Sequence, residues 1–401
     1  MNGGDSMTKP DEQSWRDLLA NLNPYREPNT ENKGQWRPEL EKKIAEYEKL
    51  KEEEAMAEEL SFNWLFEADA QYIHKPQARA NFNETETTIY DGVPAGPIEH
   101  DPQKAQIYIA NINPAVASGQ VEELIRAERE GGFVNIQKYV HEEDAEWIDG
   151  KPANNIIYQQ LFRPNKTDTG DMTLTDYLRQ NTKRDKQHWY AQHTSMLLRA
   201  LFDADEKSNT TMPVSEAKQI LSHYPIQFID LVPYRTQNAD DFIKFIQIKS
   251  TSSYQAKSVE AYQLATNKQK SFKALPSGAQ VALLPSTQFI LASVIERIRQ
   301  YLDEPNRIPA PTFVLRSYKN WWQPALQVFL TQRWDILPAS LKEKESTVAS
   351  LLQAFEQDFF WQYVSAQSAS ISDRNLEKIQ GTGDFKDTFV TPFRHATITK
   401  E

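Results

Sequence analysis

The chain has 401 residues, enough for a sizeable core and for two or three domains or one large domain with extensions. Its 45 basic and 56 acidic residues leave a net charge of −11, which argues against wholesale coating of nucleic acid or anionic membrane while leaving room for a local basic face. There is no cysteine, which excludes disulfides, thiolate metal sites, iron–sulfur clusters and a cysteine nucleophile.

No basic stretch followed by an apolar core opens the sequence, and no run approaches about 18 apolar residues, so a cytoplasmic protein without a spanning helix is expected. Residues 1–35 are polar around a short apolar island of Trp15, Leu18, Leu19 and Leu22, and read as disorder or as a docking arm. From Pro38 to about Leu60 the composition turns to Glu, Lys, Ala and Leu. Leu40, Ile44, Tyr47 and Leu50 recur at helical spacing, which predicts a charged helix. That helix is either a solvated one packed along a single stripe or a surface for a protein partner. Residues 61–100 read as a packing segment and a loop rich in proline and glycine.

Ile107–Ile112 is a short apolar run that predicts a strand buried on both faces, ended by Asn113 and Pro114. A helix is expected over about 119–130, stopped by Gly131 and Gly132, and a longer one over 174–203. Pro213–His223 predicts another helix and Gln227–Val232 a second strand. Residues 240–275 read as helical and rich in lysine, and Gln280–Leu284 as a strand. Ser286 and Thr287 are placed to cap a helix through Leu302, which leads to strand Thr312–Leu315 and a C-terminal region helical around 345–366. Strands alternating with helices over residues 105–320 predict βαβ crossovers and an α/β fold. The expected architecture is a three-layer α/β/α core on a short, mainly parallel sheet, with helical additions at both ends. Residues 1–100 form the N-terminal extension in this reading and 101–401 the α/β domain.

In an open parallel sheet, ligands bind beyond the carboxyl ends of the strands. Asn113 follows one such end. Pro114 breaks the ladder there, and the Asn113 amide can hold a water by accepting one hydrogen bond and donating another. The plainer alternative is an Asx-type turn. Asp230 lies within the apolar Phe228–Val232, where a buried carboxylate needs a partner such as Arg235, a proton, or a donor on a ligand. Lys244, Lys249, Lys257, Lys268, Lys270 and Lys273 occupy a stretch in which Glu260 is the only acidic residue. They suit phosphate contacts, or equally a solvated helical face. Arg316-Ser-Tyr-Lys-Asn-Trp-Trp322 combines cationic and aromatic groups just after a strand, for stacking, gripping phosphate, or packing. No HExxH, GxGxxG, P-loop or GxSxG pattern occurs, so no zinc, dinucleotide, P-loop or hydrolase-elbow site is expected, and neither is a cofactor.

The pair Ile-Asn-Pro-Ala at 112–115 and Phe-Ile-Asp-Leu-Val-Pro-Tyr-Arg-Thr at 228–236 resembles the two signature segments of the uracil-DNA glycosylase-like superfamily, in particular its mismatch-specific branch. The resemblance covers about residues 105–375. It implies a DNA glycosylase-like hydrolase in which Asn113 positions the attacking water and Asp230 reads the base edge. Tyr234 is a candidate to stack on the base, with Arg235, Lys244, Lys249 and Arg316 as candidates for phosphates. Ala115 stands where that family has glycine, Asp230 where it often has Asn, and the late His-Pro-Ser or Asn-Pro-Ser loop has no clean match. An amine-bearing base suits the carboxylate better than uracil does. These departures motivate the alternative of a catalytically silent module binding nucleic acid or protein on the same fold.

Overall fold

The computed structural model describes residues 10–22, 49, 67–70, 105–112, 173, 176, 196–197, 199–201, 226–233, 248–250, 279–281, 283–365 and 370–392. In chain order the elements are α1 (Pro10–Leu22), α2 (Glu67–Ala70), β1 (Ile107–Asn111), β2 (Ile226–Asp230), β3 (Ile248–Ser250), β4 (Ala279–Val281) and α3 (Pro285–Asp303). They continue with β5 (Thr312–Leu315), α4 (Trp322–Arg333), a 3₁₀ turn (Trp334–Ile336), α5 (Ala339–Lys344), α6 (Val348–Asp358), β6 (Phe360–Tyr363), β7 (Leu376–Lys378) and α7 (Phe385–Phe389).

Five strands form one sheet in the order β2-β1-β5-β6-β7, and β3 and β4 pair separately as an antiparallel ribbon. The first four strands of the large sheet are parallel, and β7 closes its edge antiparallel to β6. The molecule is therefore an α/β protein with a mixed, mostly parallel sheet. The burial of every β1 side chain accounts for that strand's unbroken apolar run, as in parallel sheets generally.

Because parallel strands in register present level residues to the same face, the sheet sorts its side chains into two sets. Tyr108, Phe313 and Phe360 lie level on β1, β5 and β6 and form an aromatic ladder. Tyr108 stacks on Phe313 with ring centroids 4.6 Å apart, and Phe360 meets Phe313 edge-on at 5.9 Å. This face packs into the main core with Ile290, Leu291, Val294, Ile295 and Ile298 of α3 and Phe355 of α6. On the opposite face Ile107, Ile109, Val314 and Trp361 are also buried. There Trp361 meets Phe389 of α7 edge-on at 5.2 Å.

Helix α3 anchors this arrangement. Pro285 starts it with a preset φ, but its cap does not come from Ser286 or Thr287 as expected. The side chain of Asp69 in α2 accepts a hydrogen bond from the Ser286 N–H at 3.0 Å instead, so a carboxylate 217 residues away serves the helix N-terminus. Buried Arg297 donates from Nε to the carbonyl of Ala105 at 3.1 Å and from its terminal nitrogen to that of Pro309 at 2.6 Å. It thereby ties together the chain entering β1 and the chain entering β5 at the amino ends of the strands.

Helix α1 lies against α3 and the 3₁₀ turn. Its Trp15 is fully buried, edge-on to Phe329 at 6.3 Å, and donates from Nε1 to Glu296 at 2.8 Å. Of the two readings of the N-terminal segment, docking is the one that residues 10–22 follow.

Several expectations need correction. The C-terminal region predicted to be helical around 345–366 holds α6 only to Asp358, and then turns at Phe359 into β6. Within the segment 240–275 expected to be helical, Ile248–Ser250 is extended and pairs with β4. The strand expected at Gln280–Leu284 is shorter, Ala279–Val281, and does not join the large sheet. The expected helices at 119–130 and 213–223 and nearly all of that at 38–60 lie outside the described residues. Among the described residues no helix is long and apolar enough to cross a membrane.

Candidate functional site

The order of the parallel strands fixes where a ligand is expected. Numbered along the chain, the four strands run second, first, third, fourth, so the connections leave β1 toward β2 on one side and reach β5 on the other. Such a reversal opens a crevice beyond the carboxyl ends, between β1 and β5. Asn111 ends β1, and Arg316 follows the last residue of β5.

Register places four polar side chains level with one another at this edge. Asn111 is paired with Asp230, Ala110 with Leu315, and Leu315 with Gln362, so the next residues, Asn111, Arg316 and Tyr363, are level in turn. The backbone ladder continues past the strand ends, from Leu231 N–H to Asn111 O at 3.1 Å and from Val232 N–H to Ile112 O at 2.9 Å. On the other side the Arg316 N–H donates to Ala110 O at 2.9 Å. Across the sheet the row therefore reads Asp230, Asn111, Arg316, Tyr363, with adjacent strands about 4.8 Å apart.

Asp230 and Asn111 are almost completely enclosed, at 4% and 3% exposure. The Asn111 Oδ1 has no hydrogen-bond partner among the described residues. A buried amide oxygen in that condition costs about 1–3 kcal/mol, a cost that a ligand or water donor removes. The half-buried Arg316 lays its guanidinium over the Tyr363 ring, 4.5 Å from the centroid.

The turn after β5 is what leaves Arg316 at the edge while its successors leave it. Ser317 takes a left-handed conformation, φ 52°, which is strained for a residue with a Cβ. Its carbonyl then accepts from the Asn320 and Trp321 amides at 3.1 Å each. The chain folds back so that Tyr318, Trp321 and Trp322 enter the core. The two tryptophans of this motif are therefore packing residues, and Arg316 alone of the group stays with the strand ends.

Burial pushes the Tyr363 hydroxyl up to about 12, and the Arg316 guanidinium pulls it the other way. The native state thus keeps this proton at a pH where an unfolded tyrosine, near 10, has lost it. The resulting stabilisation is complete below about pH 10 and is lost as pH rises from there toward about 12. Tyr363→Phe is expected to flatten that alkaline loss in urea unfolding measured at several pH values. An identical loss in both proteins rules the assignment out.

Of the residues expected from sequence, Asp230 and Arg316 lie level on one row, two strands apart with Asn111 between them. Asn113, Tyr234, Arg235 and Lys244 lie outside the described residues, and Lys249 is described only as part of β3. Sequence reasoning missed Asn111 and Tyr363. For Asn111 a signal was present, since it is the first polar residue after the apolar run Ile107–Ala110. Tyr363 was hidden in a segment that read as helix. Among the described residues no cluster of three or more His, Asp or Glu could hold a metal.

The fold and this edge define an α/β protein with a polar row at the reversal point of a parallel sheet. No family model matches the chain, and comparison with curated proteins and with solved structures gave no significant match.

Proposed function

We propose that the carboxyl edge of the sheet is a nucleobase pocket, and that the protein is a glycosylase-like hydrolase with a three-layer α/β/α core acting on a base in DNA or on a nucleoside-like ligand. One observation carries this reading. The strand that leads into the first segment resembling the glycosylase signatures and the strand that opens the second are adjacent and parallel, with Asn111 paired to Asp230. Asn113, two residues beyond, is the side chain assigned to hold the water. Hydrolysis adds the water oxygen to the anomeric carbon as the glycosidic C–N bond breaks. The electron pair leaves with the base nitrogen, and the water supplies hydroxyl to the sugar and a proton to the base.

Asp230 reads the base, Tyr234 stacks on it, and Arg235, Lys244 and Lys249 contact phosphates through the local basic segment. Arg316, expected among the phosphate contacts, suits the pocket better, because it lies level with Asp230 and rests on Tyr363. The test is release of free base from oligonucleotides carrying common, deaminated and oxidised bases, followed by chromatography. Asn113→Ala is expected to lower the rate about 100-fold or more, in the range lost when a positioned catalytic group is removed. No release from any substrate, or release indifferent to Asn113, removes the hydrolase reading.

The enclosure of Asn111 and Asp230, together with Ala115 in place of glycine, favours a second reading: a catalytically silent nucleic-acid- or protein-binding module on the same fold. A salt-dependent gel shift without base excision is its expected signature.

A further inference from the structure

Helix α3 presents its N-terminus at the ligand side of the sheet. Arg297, in its second half, is bonded to the carbonyls of Ala105 and Pro309, so that half lies at the amino ends of β1 and β5. The helix hands the chain to β5 through residues 304–311 and therefore runs against the strands. From Arg297 back to Pro285 is about 18 Å of helix, enough to bring the first turn to the level of the carboxyl edge.

That turn is built for an anion. A helix of this length carries about half a positive charge at its N-terminus, and none of the residues of its own first turn is acidic. Gln288, in the same turn, accepts from Nη2 of the half-buried Arg333 at 2.9 Å, so a guanidinium stands beside it, bonded to a neutral amide. The anion that does reach the turn is the fully buried Asp69 of α2, on the Ser286 N–H. Its fit is incomplete. The Ser286 hydroxyl is 1% exposed and has no hydrogen-bond partner among the described residues. A tetrahedral oxyanion brings more acceptor oxygens than a carboxylate and can take the Ser286 N–H and O–H together. Helix α2, a single turn of four residues, is too short to persist unless docked.

We propose that the first turn of α3 is an oxyanion site of the phosphate class, which Asp69 fills as the chain's own ligand and yields when such an anion enters. Helix α2 is then a plug on the ligand side of the sheet, and its release opens that side. The Ser286 hydroxyl is the group that favours the incoming anion over the carboxylate.

The test is thermal unfolding of the full chain in sodium phosphate against sodium chloride at equal ionic strength, followed by circular dichroism. Asp69→Ala vacates the site, and phosphate at about ten times its dissociation constant is expected to raise the midpoint by about 3 °C. Asp69→Asn keeps an oxygen in place, so this variant and the wild type are expected to shift much less. Phosphorus resonance broadening reads the binding directly, and adding Ser286→Ala to Asp69→Ala is expected to weaken it about tenfold. In the wild type, phosphate is expected to speed hydrogen exchange of the Glu67–Ala70 amides. Equal shifts in all three proteins, or no phosphate binding to a folded Asp69→Ala, make Asp69 a helix cap and nothing more, and overturn the proposal. Wild-type exchange over Glu67–Ala70 that phosphate leaves unchanged overturns it as well, and that measurement stands even if the alanine variant does not fold.

Discussion

Replacing Trp15 with alanine is expected to cost about 3–5 kcal/mol, the range found when a buried Trp or Phe is truncated to alanine. Trp15 is fully enclosed against Phe329, and Leu18, Leu19 and Leu22 pack beside it on the same core. Its hydrogen bond to Glu296 contributes less, because Glu296 keeps Arg299 at 2.7 and 2.8 Å and Gln300 at 3.2 Å when the indole is gone. The loss is therefore mainly one of packing, and Trp15→Phe is expected to recover more than half of it. Hydrogen exchange tells where the loss falls. Amides of α1 are expected to exchange much faster in Trp15→Ala, while those of β1 and β5 change little, as for a unit that opens before the rest. Unchanged exchange in α1 would contradict the docked helix.

Glu356→Ala is expected to cost about 3 kcal/mol. The Glu356 carboxylate accepts from the Tyr318 hydroxyl at 2.6 Å, from Gln323 Nε2 at 2.8 Å, and from Gln380 Nε2. Truncation leaves three donors facing a hole. The buried Tyr318 hydroxyl bears the full penalty of about 1–3 kcal/mol, and the two partly buried amides a smaller share through access to water. Tyr318 keeps its proton far above the usual tyrosine range, first because it is buried and then because of Glu356. Glu356→Gln retains an acceptor oxygen and is expected to cost about half as much. Midpoints from urea unfolding give both numbers, and an alanine variant within about 0.5 kcal/mol of wild type contradicts the network. This cluster joins the turn after β5 to α6 and to the segment after β7, so its loss is also expected to loosen the mount of Arg316.

How much of this was readable in the amino acids depends on what each segment packs against. β1, β2 and β5 were legible within a residue or two, because strands buried in a parallel sheet are predominantly apolar and these runs are bounded by proline and polar residues. β6 was not legible. Phe359, Phe360, Trp361 and Tyr363 follow directly on α6, and a short apolar run carries no period that separates helix from strand. The cap of α3 was misassigned to Ser286 and Thr287 for a different reason. The residue that supplies it, Asp69, is remote in sequence, and no local pattern marks a tertiary cap.

The site divides in the same way. Asp230 stood out because a carboxylate among Phe228, Ile229 and Leu231 is chemically conspicuous. Arg316 stood out as a cation after a strand, yet nothing in its neighbours showed that the two tryptophans would turn away while it stayed. Asn111 was overlooked beside Asn113 because its importance comes from register with Asp230, a property of the pairing rather than of the segment. Tyr363 could be placed only once β6 was known to be a strand.

The contact between Trp15 and Glu296 spans 281 positions. On a ribosome adding about 5–20 residues per second, α1 therefore waits on the order of 15–60 s between its own emergence and that of its docking surface. Through that interval its indole and leucines face solvent or a chaperone. Helix α1 thus leaves the exit tunnel long before its seat exists, and vectorial synthesis makes its docking a late checkpoint on whether the distal part of the chain has folded.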